Sequence, residues 1–436
     1  MRRCLVLLGV LLFAWAGLAQ VDRATLVGTV SDPSGAVVPG ANVEIRSAET
    51  GLHRDVKTGA SGNYAFTGLP IGIYTVLVSA PGFNNVSIKD VRLGVGDNRT
   101  VDVALTVAGG AAAITVEGVA AALERESAAI GTIIGGQHMR EIPLNGRHWA
   151  SLLALAPGAI NTGTGDMEGI RFSGRSNDDN NYMYDGIDVS GVKDPTMESA
   201  LRLVVSTDSV AEFRVNSTLY SAESGSGGGA QINLVSKGGT NEFHGGLFEF
   251  VRNDKLDARN PFDTSKQPFR LNQFGGNLGG PIIRNRTFFY ANYEGLRQRL
   301  SQTMRADVPS AAFRARASNP GIQPILAAYP VGNLRTSDPD IDRYVVDRSN
   351  SWTEDSVSAR IDHRFNENNN LYARFSTDRG VTNTQVTAIE GDREQPNLQP
   401  TNVVLQYQRI FTPTFINEVK AGLNRQPLTR YSYGPF

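Results

Sequence analysis

From Ser356 to Phe365 the chain alternates without a break. Val357, Ala359, Ile361, His363 and Phe365 hold the odd positions, mostly apolar, and Ser356, Ser358, Arg360, Asp362 and Arg364 hold the even ones, all polar. In a β-strand these sets lie on opposite faces. The pattern returns as Leu371, Ala373 and Phe375 against Tyr372, Arg374 and Ser376, and as Val403, Leu405, Tyr407 and Phe411 against Gln406 and Gln408. It returns again as Phe415, Val419, Ala421 and Leu423 against Glu418, Lys420 and Asn424. Repeated strands with one wet and one apolar face fit a membrane barrel, because lipid cannot satisfy the backbone groups of an open sheet edge. About seven strands are expected, near 242–251, 269–280, 287–298, 355–365, 370–378, 401–411 and 415–425. Their connections alternate between short (281–286, 366–369, 412–413) and long (252–268, 299–354, 379–400). Outer-membrane barrels place short turns on the periplasmic side and long loops outside. The first strand would therefore climb outward from domains on the periplasmic side.

Those domains occupy the first half. Arg2 and Arg3 precede an apolar run from Leu5 to Leu18, and small residues lead to Ala19 and Gln20, the order of a secretory signal peptide cleaved between those two residues. The run is too short for a spanning helix. From 24 to 107, short alternating segments such as Leu26–Val30, Ala41–Ile45 and Ser61–Phe66 recur between turn words such as Asp32-Pro33-Ser34-Gly35, which predicts a β-sandwich. A small-residue linker, 108–122, holds one extended word, Ile114-Thr115-Val116-Glu117-Gly118. Helical signals over 141–156 stop at Pro157-Gly158, and strand-like pieces follow at 182–187, 211–215 and 230–235, giving a small α+β domain. The predicted fold is mainly β: a transthyretin- or Ig-like sandwich, a small α+β domain and an incomplete antiparallel transmembrane barrel.

Charge and cysteine content remove several function classes. With 42 Lys+Arg against 43 Asp+Glu, the net charge of -1 leaves no basic excess for nucleic acid. The single cysteine, Cys4, lies in the signal, so neither a disulfide framework nor a cysteine-ligated metal is expected. His53, His138, His148, His244 and His363 are scattered, with no His-Glu-x-x-His spacing. Gly225-x-Gly227-x-x-Ala230 fits a dinucleotide fingerprint formally, but a strand follows where a helix is needed. Asp178 to Gly186 has part of a calcium-loop spacing, with Val192 where its glutamate belongs. No Gly-x-Ser-x-Gly elbow occurs. Catalytic residues, metal and cofactor are all expected to be none.

The words "GTVSDPSGAVVPGANV", "SGNYAFTGLPIGIYTV" and "APGF" resemble the carboxypeptidase regulatory-like domain, which has a carbohydrate-binding-like fold and is not itself catalytic. Further on, "IPLNGRHWASLLALAPGA", "RFSGRSNDDNNYMYDGIDV" and "STDSVAEFRVNSTLYSAESGSGGGAQINLVSKGGTNEFHGGLFEF" resemble the plug of TonB-dependent outer-membrane receptors of the Oar-like group. The word "QFGGNLGGPIIRNRTFFYANYEGLRQ" resembles that group's first barrel hairpin. The resemblance implies a signal peptide (1–19), a regulatory-like sandwich (20–107), a linker with the TonB box (108–122), a plug (123–240) and the first barrel strands (241–436). It implies import of a siderophore, oligosaccharide or peptide across the outer membrane, with TonB of the inner membrane as energy-coupling partner. Ile114, Thr115, Val116, Glu117 and Gly118 stand where the TonB box would lie, a segment that pairs with its partner by strand addition. Arg175, Asp185, Glu212 and Arg214 are plug charges placed to face polar groups of the barrel lumen. The alternative is an outer-membrane adhesion or matrix-binding protein without transport. Since plugged barrels have about 22 strands, seven also read as the N-terminal part of a longer receptor.

Overall fold

A computed structural model describes residues 23–108, 114–116, 129–142, 144, 147–162, 169–190, 205–220, 228–259, 266–385, 387, 389–413 and 415–434. The signal segment with Ala19 and Gln20 lies outside the described residues, as do Glu117 and Gly118.

The first unit is a sandwich of β1 (Ala24–Ser31), β2 (Asn42–Ser47), β3 (His53–Lys57), β4 (Asn63–Leu69), β5 (Gly72–Ser79), β6 (Val86–Leu93), β7 (Asn98–Thr100) and β8 (Val103–Ala104). One sheet runs β4-β1-β7 with β8 also on β1, and the other runs β3-β2-β5-β6. In β1 every second residue is buried, so the alternation read in the sequence becomes one dry and one wetter face. Leu26, Ile45, Phe66, Leu69, Leu93 and Leu105 fill the space between the sheets and are fully buried. Each such side chain is worth roughly 1.5–3 kcal/mol over an exposed one. From the linker, β9 (Ile114–Val116) returns and pairs in parallel with β6, Val86 opposite Ile114 and Ile88 opposite Val116.

The second unit is built on a mixed sheet in the order β10-β15-β16-β13-β14. Its strands are β10 (Ile130–Gly135), β13 (Asn181–Tyr184), β14 (Ile187–Asp188), β15 (Val210–Thr218) and β16 (Gln231–Ser236); β11 (Ala159–Asn161) and β12 (Ile170–Phe172) pair separately. Within the helical signal of 141–156 the structure has a 3₁₀ turn, Trp149–Leu155, while the α-helix, Gly136–Glu141, lies just ahead of it. Trp149 anchors the core with its ring edge-on to Phe213 at 5.4 Å. The single strand expected over 182–187 is instead a hairpin, because Asp185 and Gly186 take φ of 50° and 72°. Positive φ at both central residues is the two-residue turn for which Asp-Gly is suited.

The third unit is one ten-stranded antiparallel sheet. It contains β17 (His244–Asn253), β18 (Phe269–Ile283), β19 (Thr287–Pro309), β20 (Leu334–Arg335), β21 (Ile341–Asn366), β22 (Asn369–Gln385), β23 (Arg393–Leu398), β24 (Thr401–Thr412), β25 (Phe415–Arg425) and β26 (Leu428–Tyr433). All seven expected strands are present, and the three short turns stand where they were read. The long connections are corrected. β19 and β21 continue as a paired ladder from Leu300–Asn350 to Pro309–Ile341, and β22 runs on to Gln385 beside β23. These extensions carry polar residues such as Asp347, Arg348 and Ser349 in no two-residue period, so they lack the alternation that marks a membrane-facing strand. Among the described residues the sheet is open, with β17 paired only to β18 and β25 only to β24.

Burial in this sheet is inverted relative to the sandwich. Val357, Ile361, Phe365, Phe375, Leu405 and Leu423 are exposed, whereas Ser356, Ser358, Arg374, Asn402, Gln406 and Gln408 are buried. The apolar face looks outward, as lipid requires, and the polar face looks onto the second unit.

Candidate functional site

The polar face carries a row of directly opposed residues: Tyr290 on β19, Arg360 on β21, Arg374 on β22 and Val404 on β24. Two arginines facing each other across a ladder repel. Asp185 answers them from the tip of the β13–β14 hairpin. Its Oδ2 accepts from Arg374 Nε at 2.5 Å, and its Oδ1 lies 3.9 Å from Arg360 Nη1. Both Asp185 and Arg374 are fully buried, so the pair must satisfy itself. Ser236 donates its backbone N–H to Asp185 Oδ1 (2.8 Å) and its hydroxyl to Oδ2 (2.7 Å). Arg374 also donates to Ser376 Oγ and Asn402 Oδ1 and stacks over the Tyr184 ring at 3.7 Å, while Asp362 takes Arg360 at 2.7 Å. Burial pushes the Asp185 carboxyl up, but Arg374 and Arg360, with the Ser236 bonds, hold it below the usual aspartate range. Gly186 beside it takes a φ of 72°, the left-handed region that favours glycine.

A second contact uses Arg147, from the word "IPLNGR". Its Nε donates to Glu294 of β19 (3.1 Å) and its Nη2 to Asp208 (3.0 Å). Glu294 is fully buried and accepts further from Ser206 Oγ and from Gln273 Nε2. The guanidinium of Arg147 also lies 4.1 Å from the centre of the Phe248 ring. Tyr290 donates its hydroxyl to the Asp208 carbonyl at 2.6 Å.

Glu212 and Arg214 were read toward the barrel wall, but the structure turns both to the sandwich. Two apart on β15, they share a face that meets the loop after β6. The Val95 N–H donates to Glu212 Oε1, Arg92 stands 3.8 Å from Oε2, and Arg214 Nη1 donates to Asp97 Oδ1 at 3.2 Å. Burial, helped by Asp97 and opposed by the Val95 N–H, Arg92 and Arg214, pushes Glu212 up to about 7. A Cβ on Gly94 would lie 2.8 Å from Ile133 Cδ1 and 3.2 Å from Glu212 Oε1, so a side chain there would have to push both aside. Arg175 is exposed beside Gly228 and reaches neither seam.

The sandwich also rests on the short turns of the sheet. Arg364 Nη2 donates to the Thr50 carbonyl (3.0 Å), Gln408 Nε2 to that of Gly68 (3.2 Å), and Asn241 N to that of Glu49 (2.8 Å). Where the three units meet lies a cleft of about 710 Å³, with Arg92, Asp185, Glu212, Lys237, Arg360 and Tyr372 on its walls.

Sequence reasoning singled out Asp185 but missed Arg147, Glu294, Arg360 and Arg374 as partners. The position of Arg360 and Arg374 on the polar face was the available signal: charges inside a membrane wall call for counter-charges. Among the described residues no cluster of three or more His, Cys, Asp or Glu is arranged to hold a metal.

Comparison with known proteins adds three findings. Residues 25–106 match the carboxypeptidase regulatory-like domain, and residues 235–317 and 314–434 match an outer membrane beta barrel domain. The TonB-dependent transporter Oar of Myxococcus xanthus is 27% identical over 301 residues, 65% of this chain and 27% of that relative's length. The chain thus spans about a quarter of the curated relative it matches. Among solved structures, the outer membrane transporter YddB of Escherichia coli aligns over 68% of this chain and 38% of its own, at 11% identity and a TM-score of 0.49. The ferric enterobactin receptor PfeA of Pseudomonas aeruginosa aligns over 71% and 47%, at 14% identity and a TM-score of 0.38.

Proposed function

We propose that this outer-membrane chain, which is similar over 65% of its length to the TonB-dependent transporter Oar and carries a regulatory-like domain ahead of barrel strands, is part of an energy-coupled importer. Its wall (241–436) surrounds a plug (123–240), a ligand of the siderophore, oligosaccharide or peptide class binds from outside, and TonB pulls on the linker (108–122) to shift the plug. The observation that carries this reading is the plug carboxylate of Asp185 set between Arg360 and Arg374 of the wall. A plug held by a few ionic and hydrogen-bonded seats has discrete positions, and water entering the seam replaces the lost partners. A plug fused to the wall by a continuous apolar interface would not move.

In this reading Ile114 to Gly118 is the TonB contact. Strand addition works through main-chain groups, so proline is the informative probe: it deletes a donor without changing charge. A peptide of residues 108–124 is expected to bind the periplasmic domain of the source bacterium's TonB. Val116→Pro should weaken that binding at least tenfold, and Val116→Thr should leave it within about twofold. No binding by the unmodified peptide would overturn the contact and favour surface adhesion without transport.

A further inference from the structure

The same segment is already engaged within the chain. In the sandwich sheet β6 pairs with β5 on one side, and β9 covers its other side through three residue pairs, Val86–Ile114, Ser87–Thr115 and Ile88–Val116. Without β9 the outer edge of β6 would present unpaired N–H and C=O groups, a template for any extended segment. The chain leads the segment to that edge. Ala108 N donates to the Gly82 carbonyl at 3.0 Å and Phe83 bridges to Val107, so the linker is fastened to the start of this edge with five residues between Ala108 and Ile114.

We propose that the outer edge of β6 is a holding site for residues 114–116, and that a partner strand, TonB in the reading above on which this rests, binds by displacing them from it. Two features set the balance. A tether of five residues keeps the segment at an effective concentration in the millimolar range or above, which favours rebinding over loss. A parallel pair only three residues long is weak on its own account, which leaves the segment releasable. Apparent affinity for the partner falls by the fraction of time the segment is held. The sandwich that holds it is itself docked to the plug through Val95 and Glu212 and to the wall turns through Thr50 and Gly68.

The register supplies the test. Ser87→Cys and Thr115→Cys replace directly opposed residues in the full chain, with Cys4→Ser removing the natural thiol. Under mild oxidation the two thiols should form a disulfide. Capture of the chain by the TonB periplasmic domain should fall at least tenfold when oxidised and return on reduction, while Ser87→Cys alone should show no change. Amide exchange at residues 114–116 of the unmodified chain gives a second reading, expected to be slowed and to speed up on TonB binding. Fast exchange and no disulfide, with the free 108–124 peptide still bound by TonB, would overturn the holding site and leave the TonB contact intact. A disulfide with capture unchanged would overturn displacement, because the partner would then be adding to the outer edge of β9 or binding elsewhere. Failure of the free peptide to bind assigns the fault to the contact itself.

Discussion

Two buried carboxylates of the second unit, the plug of the proposal, sit at the seams with its two neighbours and behave in opposite ways. Asp185, at the wall, has two guanidinium groups and two Ser236 donors, and it stays ionised below the usual carboxylate range. Glu212, at the sandwich, is pushed up to about 7 by burial, which the Val95 N–H and the largely exposed Arg92, 3.8 Å away, offset only in part while Asp97 adds a like charge. Burial alone therefore does not set the charge of such a seam; the number and closeness of its counter-ions do. The difference makes the wall seat indifferent to pH near neutrality and the sandwich seat sensitive to it.

The largest expected effect tests the wall on which the first seat depends. Among the described residues the sheet has two open edges, whose unpaired backbone groups cost several kcal/mol each in hydrocarbon. Refolded in detergent or lipid, residues 20–436 should give no heat-modifiable, protease-protected band, whereas a product extended by roughly 400 residues or more of reading frame should give one. A compact heat-modifiable band from 20–436 alone would mean closure by several chains, or a different sheet altogether.

Next in size is Asp185→Asn. It leaves Arg374 buried and opposite Arg360 with the shared carboxylate gone, and breaking a buried pair from one side costs about 3–5 kcal/mol. Faster proteolysis of the plug in the membrane-inserted receptor should report the loss, and Asp185→Asn with Arg374→Gln should recover part of it. Strict additivity of the two changes would show that the seats are independent and the pairing unimportant.

The smallest effect separates the seams by pH. The docked plug and sandwich hold the Glu212 proton up to about 7, while undocked Glu212 releases it near the ordinary glutamate value of 4.5. Between those values the docked state binds more protons, so docking weakens as pH rises, by at most about 1.4 kcal/mol per pH unit, and levels off above 7. Asp185 has the opposite sign: its contribution is complete above the ordinary aspartate range and is lost only as pH falls through its depressed value. Exchange protection at the Val95 amide, followed from pH 5 to 8, should fall with pH in the unmodified protein and stay flat in Glu212→Gln. A slope that persists in Glu212→Gln would place the titrating group elsewhere.

Much of the frame was legible because each strand's alternation records the solvents on its two faces. Val357, Ile361 and Phe365 could be set toward lipid, and Leu26 and Phe66 toward a core, from the sequence alone. Asp185-Gly186 was less legible: a run of strand-like residues surrounds it, and positive φ at both positions broke that run into a hairpin. The outer parts of β19, β21 and β22 escaped because their residues, Asp347, Arg348 and Ser349 among them, follow no two-residue period.

What the sequence determined by itself is which residues share a face. Spacing by two puts Glu212 and Arg214 together on β15, and Arg360 and Asp362 together on β21, whatever surrounds them. Only the tertiary structure decided what each face meets. Arg374 finds Asp185 across 189 positions of chain, and Glu212 finds Val95 across 117. No local pattern encodes such pairs, because they depend on how the plug sits between the wall and the sandwich, and that placement comes from packing among all three units.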